Sequence, residues 1–208
     1  MKNLIIVSAP SGTGKTTICR ILQERDQTIN FSVSCTTRIP RSGEKDGVDY
    51  NFMSVKEFKD GINNKSFAEW EKIHGNNYYG TLASTLIEAV DHKQLLLLEL
   101  DVKGAMAIKK LYPDNSISIF IEPPSLEELK LRLENRGTES NNNIIKRLER
   151  LHDEISFKPK FDFCILNDDI NRAVNEIIKI IKNQNKGVSN GSLTVINQKY
   201  GRKNFRYF

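Results

Sequence analysis

Short apolar runs alternate with amphipathic patterns along most of the chain. Four runs have lengths typical of strands buried on both faces, at residues 4–7, 95–100, 117–121 and 163–166. Apolar residues spaced three and four apart predict helices over residues 16–24, 102–111, 125–136 and 171–182. Strands that alternate with helices indicate an α/β fold built on a parallel sheet.

The pattern changes between residues 31 and 80. Aromatic residues gather there in short stretches around 31–35, 50–52, 67–73 and 78–79. We therefore expect a small mixed β insertion between the first strand–helix unit and the rest of the sheet. From about residue 183 the composition turns to Asn, Gln, Gly and Ser, which predicts a loosely ordered tail.

Length and charge limit the class of protein. The 208 residues fit one domain with a small inserted subdomain, and the hydrophobic share of 38% indicates a packed core. These values exclude collagen-like, disulfide-scaffold and fully disordered chains. The net charge is +5, yet seven basic and no acidic residues follow Glu176, which leaves −2 on residues 1–176. The basic character therefore belongs to the tail, and the body of the chain is slightly acidic.

Cysteine usage and hydropathy suggest a location. Cys19, Cys35 and Cys164 are far apart and odd in number, which indicates reduced thiols in the cytoplasm and no zinc site. No apolar run approaches the roughly 20 residues that a membrane helix needs, and we expect no membrane contact.

A glycine-rich segment joins the first predicted strand to the first predicted helix. Its sequence, APSGTGKTT at residues 9–17, has the glycine, lysine and threonine spacing of a phosphate-binding P-loop. Gly12 and Gly14 let backbone amides turn toward phosphate oxygens, and the helix N-terminus adds its dipole. Lys15 would reach the β- and γ-phosphates, and Thr16 would offer a hydroxyl to Mg²⁺. We predict nucleoside triphosphate binding; the alternative is a chance glycine-rich turn.

Further charged residues suggest a second anion site. Arg38 and Arg41 lie three apart in an irregular stretch, and arginine forks suit phosphate groups. Asp101 follows a predicted buried strand, at the sheet edge where α/β folds bind ligands. Taken alone, the two arginines also fit a solvated loop, and Glu69 also fits a surface acid beside Trp70.

The motifs above and several further short motifs follow one another along the chain. The set comprises residues 8–17 (SAPSGTGKTT), 34–44 (SCTTRIPRSGE), Tyr50, Glu69, 78–81 (YYGT), 99–104 (ELDVKG), 134–137 (ENRG), 146–148 (KRL) and 167–169 (NDD). In its order and spacing the chain resembles the guanylate kinase family from residue 4 to about 182. Two features depart from the family: Glu99 stands where Asp is more usual, and the 75–79 segment is one residue longer than in common bacterial relatives.

The resemblance implies a fold and a division of the chain. It implies an α/β fold, a P-loop parallel sheet core flanked by helices, with an inserted mixed-β GMP-binding region and a helical lid. The implied kinase domain spans residues 1–182, with its core at 1–30, 82–125 and 156–182, a GMP-binding region at 31–81 and a lid at 126–155. Residues 183–208 remain as a basic tail.

It also implies a reaction. ATP would give its γ-phosphate to GMP, and to dGMP, forming ADP and GDP with Mg²⁺ as cofactor, in purine nucleotide metabolism and GMP recycling. ATP and GMP are the implied partners; nucleic acid is not expected, and a homo-oligomer stays open.

Site residues follow by matching positions. The ATP-binding residues would be Ala9, Pro10, Ser11, Gly12, Thr13, Gly14, Lys15, Thr16, Thr17, Arg132, Arg136 and Asn167. The GMP-binding residues would be Ser34, Arg38, Arg41, Tyr50, Glu69, Tyr79, Thr81 and Asp101. The catalytic residues would be Lys15, Arg38, Arg136 and Arg147. Mg²⁺ would bind Thr16, with Glu99 and Asp101 acting through water. In this scheme Glu69 accepts hydrogen bonds from guanine N1–H and N2–H₂, a donor pair that adenine lacks.

Three alternatives remain open from the sequence. A non-enzymatic guanylate-kinase-like module would have a degraded phosphate loop, whereas Gly14, Lys15 and Thr16 are intact here. A different P-loop kinase would need another base-reading set than Glu69 and Asp101. A nucleic-acid binder would use the basic tail and would show salt-dependent affinity.

Overall fold

The computed structural model describes residues 1–73, 77–125, 129 and 151–185. In chain order the elements are β1 (Leu4–Ser8), α1 (Lys15–Arg25), β2 (Ile29–Phe31), β3 (Cys35–Thr36), β4 (Asn51–Phe52), α2 (Val55–Asn63), β5 (Phe67–Ile73), β6 (Asn77–Leu82), α3 (Ala83–Asp91), β7 (Leu95–Glu99), α4 (Val102–Leu111), β8 (Ser116–Glu122), β9 (Phe163–Leu166) and α5 (Ile170–Asn185). A short 3₁₀ helix, Lys158–Lys160, precedes β9.

The larger sheet is parallel and has β1 at its centre. Its strand order is β2-β7-β1-β8-β9, and each neighbouring pair runs in the same direction. Side chains alternate across β1, so Ile5 and Val7 pack against α1 and α5 while Leu4 and Ile6 pack against α3 and α4. Helices on both faces explain why the central strands are continuous apolar runs. The predicted α/β fold is confirmed.

The smaller sheet is the mixed insertion that the aromatic stretches predicted. Its order is β4-β3-β6-β5, in which β3 and β4 are parallel and the other neighbours antiparallel. Phe58 of α2 is fully buried and stacks on Phe67 of β5 with ring centroids 4.3 Å apart. An aromatic cluster therefore supplies the core of this small region.

Sequence reasoning missed two helices, α2 and α3. Helix α2 begins with a capping box, in which Ser54 Oγ accepts the Glu57 backbone N–H and the Glu57 carboxylate accepts the Ser54 N–H. The Ser-x-x-Glu spacing is a readable helix start, and it could have predicted α2.

The predicted start of the tail needs correction, and other predicted segments lie outside the described residues. Helix α5 continues to Asn185, so residues 183–185 are helical rather than loosely ordered. Most of the predicted helix 125–136, most of the 126–155 lid and the tail beyond residue 185 lie outside the described residues. Within the lid range, Leu129 and Leu151 are buried together and residues 151–156 are helical. No helix in the described ranges is both long and apolar enough to cross a membrane.

Candidate active site

The glycine-rich loop leaves β1 and leads directly into α1. Gly12 has a φ of 89° and Gly14 a φ of 91°, values that strain any residue with a Cβ. Gly14 is the N-cap of α1, and no described side chain caps the helix. The N–H groups of the first turn are therefore left for an anion, as the P-loop pattern predicts.

Lys15 and Thr16 of the glycine-rich loop form hydrogen bonds at the carboxyl end of β7. Strands β1 and β7 are neighbours, with Val7 beside Glu99, so their carboxyl ends lie together. Lys15 Nζ donates to the Leu100 carbonyl at 2.7 Å, and Thr16 Oγ1 donates to Glu99 Oε1 at 2.6 Å. The P-loop cation and hydroxyl thus face the strand end where ligands bind in parallel sheets.

Asn167, the residue after β9, forms a hydrogen bond with the glycine-rich loop. It is buried, and its Nδ2 donates to the Thr13 carbonyl at 2.7 Å. A Cβ placed on Gly14 would lie 3.1 Å from the same Nδ2. The residue therefore fixes the loop backbone in this structure, and its expected adenine contact stays a prediction.

Arg38 is held in a network of the insertion. Its guanidinium donates to both Glu44 carboxylate oxygens at 2.8 and 2.9 Å, and its Nε donates to the Tyr79 hydroxyl at 3.2 Å. Its Cζ lies 5.3 Å from the centre of the Tyr50 ring. The Arg41 backbone N–H also donates to Glu44, at 2.7 Å, while the Arg41 side chain is exposed. The solvated-loop interpretation is therefore wrong for Arg38, whose side chain is 13% exposed.

Charge pairing fixes the protonation of this network. Hydrogen bonds from Arg38 lower the pKa of Glu44, and the same contact with Glu44 raises the pKa of Arg38. Burial raises the pKa of Tyr50, so its hydroxyl stays protonated and available as a donor. In this cluster the donors to the Glu44 carboxylate are the Arg38 guanidinium and the Arg41 backbone N–H.

Glu69 is an inward-facing carboxylate and not a surface acid. It lies on β5 opposite Thr81 of β6, and Thr81 Oγ1 donates to Glu69 Oε1 at 2.6 Å. Burial raises the pKa of Glu69 to about 7 against the opposing effect of the Thr81 hydrogen bond, and the charge of Asp101 adds to the rise. Asp101 caps α4 by accepting the Gly104 N–H at 2.7 Å.

One cleft of about 640 Å³ lies between the two sheets. Its polar and charged lining residues from the loop, the strand ends and the insertion include Lys15, Thr16, Ser34, Arg41, Glu44, Tyr50, Glu69, Tyr79, Glu99 and Asp101. The volume falls in the range usual for small-molecule sites. The structure thus brings Lys15 and Thr16 together with six of the eight predicted GMP-binding residues, whereas Arg38 and Thr81 do not line the cleft. The predicted lid arginines, Arg132, Arg136 and Arg147, lie outside the described residues.

The cleft offers oxygen ligands for a hard cation. Thr16 Oγ1 and Glu99 Oε1 are 2.6 Å apart, and an all-oxygen donor set suits Mg²⁺. In the described ranges no group of three or more His, Cys, Asp or Glu residues could hold a metal ion alone. The residues present fit an ion that takes its remaining ligands from water and nucleotide phosphates.

Comparisons with known proteins identify the family. A family model described as guanylate kinase matches residues 1–184. This chain belongs to the guanylate kinase family. The guanylate kinase of Prochlorococcus marinus is 47% identical over 182 residues, which cover 88% of this chain and 98% of that protein. The guanylate kinase of Chlorobium luteolum is 48% identical over 180 residues, covering 86% and 91%.

A solved structure in the guanylate kinase family supports the same assignment. The crystal structure of guanylate kinase from Anaplasma phagocytophilum matches this fold with a TM-score of 0.72 at 33% sequence identity. The match covers 86% of this chain and 84% of that one. The resemblance inferred from the motifs is thereby confirmed.

Sequence reasoning assigned no role to two residues that shape the site. Glu44 accepts three hydrogen bonds from Arg38 and Arg41, and Gly104 lies against the Glu69 carboxylate. Both residues belong to segments already singled out as motifs. Glu44 could have been found as the acid nearest the two arginines, whereas Gly104 carries no local signal because its contact depends on how α4 packs against β5.

Proposed function

We propose that this protein transfers the γ-phosphate of ATP to GMP, giving ADP and GDP with Mg²⁺ as cofactor. The observation that carries the proposal is the shared cleft, where the P-loop end of the parallel sheet faces the arginine, tyrosine and carboxylate cluster of the insertion. Two nucleotides bound at these two ends would have their phosphates directed toward each other.

The triphosphate end of the proposed site is built mainly from backbone. The uncapped first turn of α1 and the Lys15 ammonium provide positive charge for the β- and γ-phosphates. Thr16, with Glu99 beside it, would hold Mg²⁺, which when bound would offset the negative charge of the phosphates. We propose Arg132, Arg136 and Arg147 as further charge donors from the lid, on the family match alone.

The monophosphate end is built from side chains. Arg38, Arg41, Tyr50 and Tyr79 are the proposed ligands of the GMP phosphate, because guanidinium and phenol groups donate to that anion. Arg38 already pairs with one carboxylate through two parallel hydrogen bonds, which supports its use for a phosphate of similar geometry.

Base selection is proposed for Glu69, with Ser34, Thr81 and Asp101 nearby. An ionised Glu69 would accept from guanine N1–H and N2–H₂ together. Adenine would leave the carboxylate without these donors, and a site built to hydrogen-bond a missing group discriminates strongly. The partial burial of Glu69 and its Thr81 hydrogen bond support this role.

The proposed reaction needs no catalytic base. An anionic oxygen of the GMP phosphate attacks the γ-phosphorus, and the bond from that phosphorus to the β–γ bridging oxygen breaks with its electron pair leaving on ADP. Alignment, charge neutralisation and exclusion of water then supply the catalysis. Closure of the 31–81 region and the 126–155 lid is the proposed means of excluding water.

The proposed cellular setting is GMP recycling and purine nucleotide metabolism in the cytoplasm. Cys19, Cys35 and Cys164 are free thiols, which supports a reducing compartment. We propose dGMP as a second acceptor, since the residues assigned to the base and the phosphate do not depend on the ribose 2′-hydroxyl.

A coupled assay of ADP formation with different acceptors tests the proposal. We expect turnover with GMP and dGMP and at least about hundredfold lower kcat/KM with AMP, UMP and TMP. Preference for another monophosphate would contradict the proposal. Binding of GMP without turnover would instead indicate the non-enzymatic module.

A further inference from the structure

We infer that Gly104 is a positioning residue for guanine selectivity, because its missing side chain leaves the space in which the Glu69 carboxylate lies. The inference rests on the proposed role of Glu69 as the base reader. It concerns the contact between the first turn of α4 and β5, which the sequence of neither segment predicts alone.

The fit is tight and involves the ends of side chains. A Cβ on Gly104 would lie 2.8 Å from Glu69 Oε2, 3.3 Å from Glu69 Cδ and 3.4 Å from Asp101 Oδ1. A separation of 2.8 Å is below the usual van der Waals distance between carbon and oxygen, so one atom must move. The atom that gives way is a carboxylate oxygen, not backbone, and the helix can therefore stay in place.

The backbone conformation does not require glycine here. Gly104 is the third residue of the regular helix α4, and its φ is not among the positive values found at Gly12, Gly14, Gly43 and Gly47. Alanine is the better helix former at such a position. The space beside Gly104, not its dihedral angles, thus explains the glycine.

Gly104 also contacts the second carboxylate of the site. Its N–H donates to Asp101 Oδ1 at 2.7 Å, while Thr81 donates to Glu69 Oε1, the carboxylate oxygen that is not nearest to Gly104. The Glu69 carboxylate is therefore held between the Thr81 hydroxyl and the α4 backbone. A side chain at position 104 would push Glu69 Oε2 away from α4. The carboxylate would then rotate out of the orientation in which both of its oxygens can accept hydrogen bonds from guanine.

The decisive variant is Gly104→Ala. We expect KM for GMP to rise about tenfold or more, since a misplaced carboxylate pairs poorly with N1–H and N2–H₂. KM for ATP should stay within twofold of the parent, and the preference for GMP over AMP should fall. The melting temperature should stay equal or rise, because alanine favours the helix.

Gly61→Ala is a matched control. Gly61 is another helical glycine, and a Cβ there would lie 2.8 Å from the Phe67 ring, which does not line the cleft. The same steric conflict is expected to lower the melting temperature and to leave acceptor preference unchanged. A comparable loss of GMP preference in this control would overturn the inference.

A double-mutant cycle with Glu69→Ala separates the inference from the proposed function. If Glu69→Ala leaves KM for GMP unchanged, the base-reading role fails and the inference falls with it. If Glu69→Ala raises that KM but Gly104→Ala does not, the inference alone is overturned. We expect Gly104→Ala to add less than twofold in the Glu69→Ala background. Loss of cooperative unfolding in Gly104→Ala would also overturn it, because only side-chain ends should move.

Discussion

The two ends of the cleft present their polar groups in different ways. At the P-loop, the amides of the first α1 turn carry no described side-chain cap, and the conformation is set by Gly12 and Gly14. In the insertion, the polar side chains are already paired with one another, Arg38 with Glu44 and Glu69 with Thr81. One end therefore has an anion site built mainly from backbone, whereas the other presents side chains that their own partners hold in position.

The difference suggests different sensitivities to substitution. A backbone site resists side-chain changes except at the few residues that touch phosphate directly. A network of paired side chains depends on each member, because removing one partner leaves another buried group unsatisfied.

The largest effect is expected at Lys15. Lys15→Met removes the cation proposed to contact the transferring phosphoryl group, and kcat should fall by about 10²-fold or more. A coupled assay with saturating ATP and GMP measures the loss. Lys110→Met, at an exposed position on α4, is the matched control and should keep parental activity. Equal activity of both variants would contradict ATP binding at the P-loop.

A second effect is expected in the side-chain network. Glu44→Gln replaces a carboxylate that accepts two hydrogen bonds from Arg38 and one from the Arg41 backbone. Hydrogen bonds to charged groups contribute about 1.5–3 kcal/mol, so we expect KM for GMP to rise roughly tenfold with little change in KM for ATP. A lower KM for GMP would show that Glu44 competes with the phosphate instead of orienting Arg38.

The insertion should also respond to pH through Glu69. Its pKa of about 7 means that the carboxyl is mostly protonated at pH 6 and mostly ionised at pH 8. Guanine donors need the ionised form, so KM for GMP should fall about tenfold from pH 6 to pH 8. Steady-state kinetics across this range test the expectation. Glu69→Gln is the control, because residue 69 no longer titrates in this variant and any remaining pH dependence comes from the GMP phosphate. If KM for GMP changed with pH in the same way in the variant, Glu69 would not be the cause.

The same contrast explains how far the sequence could predict the molecule. The P-loop is a contiguous motif between a strand and a helix, so its position and geometry followed from local residues. The parallel sheet followed from apolar runs that are buried on both faces. Helix α2 was missed although Ser54 and Glu57 form a capping box, because the aromatic stretches on either side favoured strands.

The contacts of Glu69 could not be predicted from spacing. Glu69 meets Thr81 because β5 and β6 are in one register, and it meets Gly104 because α4 packs beside β5. Both contacts depend on tertiary packing, which no local pattern records. The family resemblance supplied the roles of these residues, but not the partners that hold them before a ligand binds.

The smallest effect is expected at Asn167. Its side chain stabilises the backbone anion site by donating a hydrogen bond to the buried Thr13 carbonyl. Asn167→Ala removes one hydrogen bond, worth about 1 kcal/mol, so KM for ATP should rise roughly fivefold. KM for GMP should not change, and Asn64→Ala at an exposed position is the control. If Asn167→Ala left ATP kinetics at the parental values, the loop would keep its shape from Gly12 and Gly14 alone. The backbone site would then depend on side chains even less than we infer.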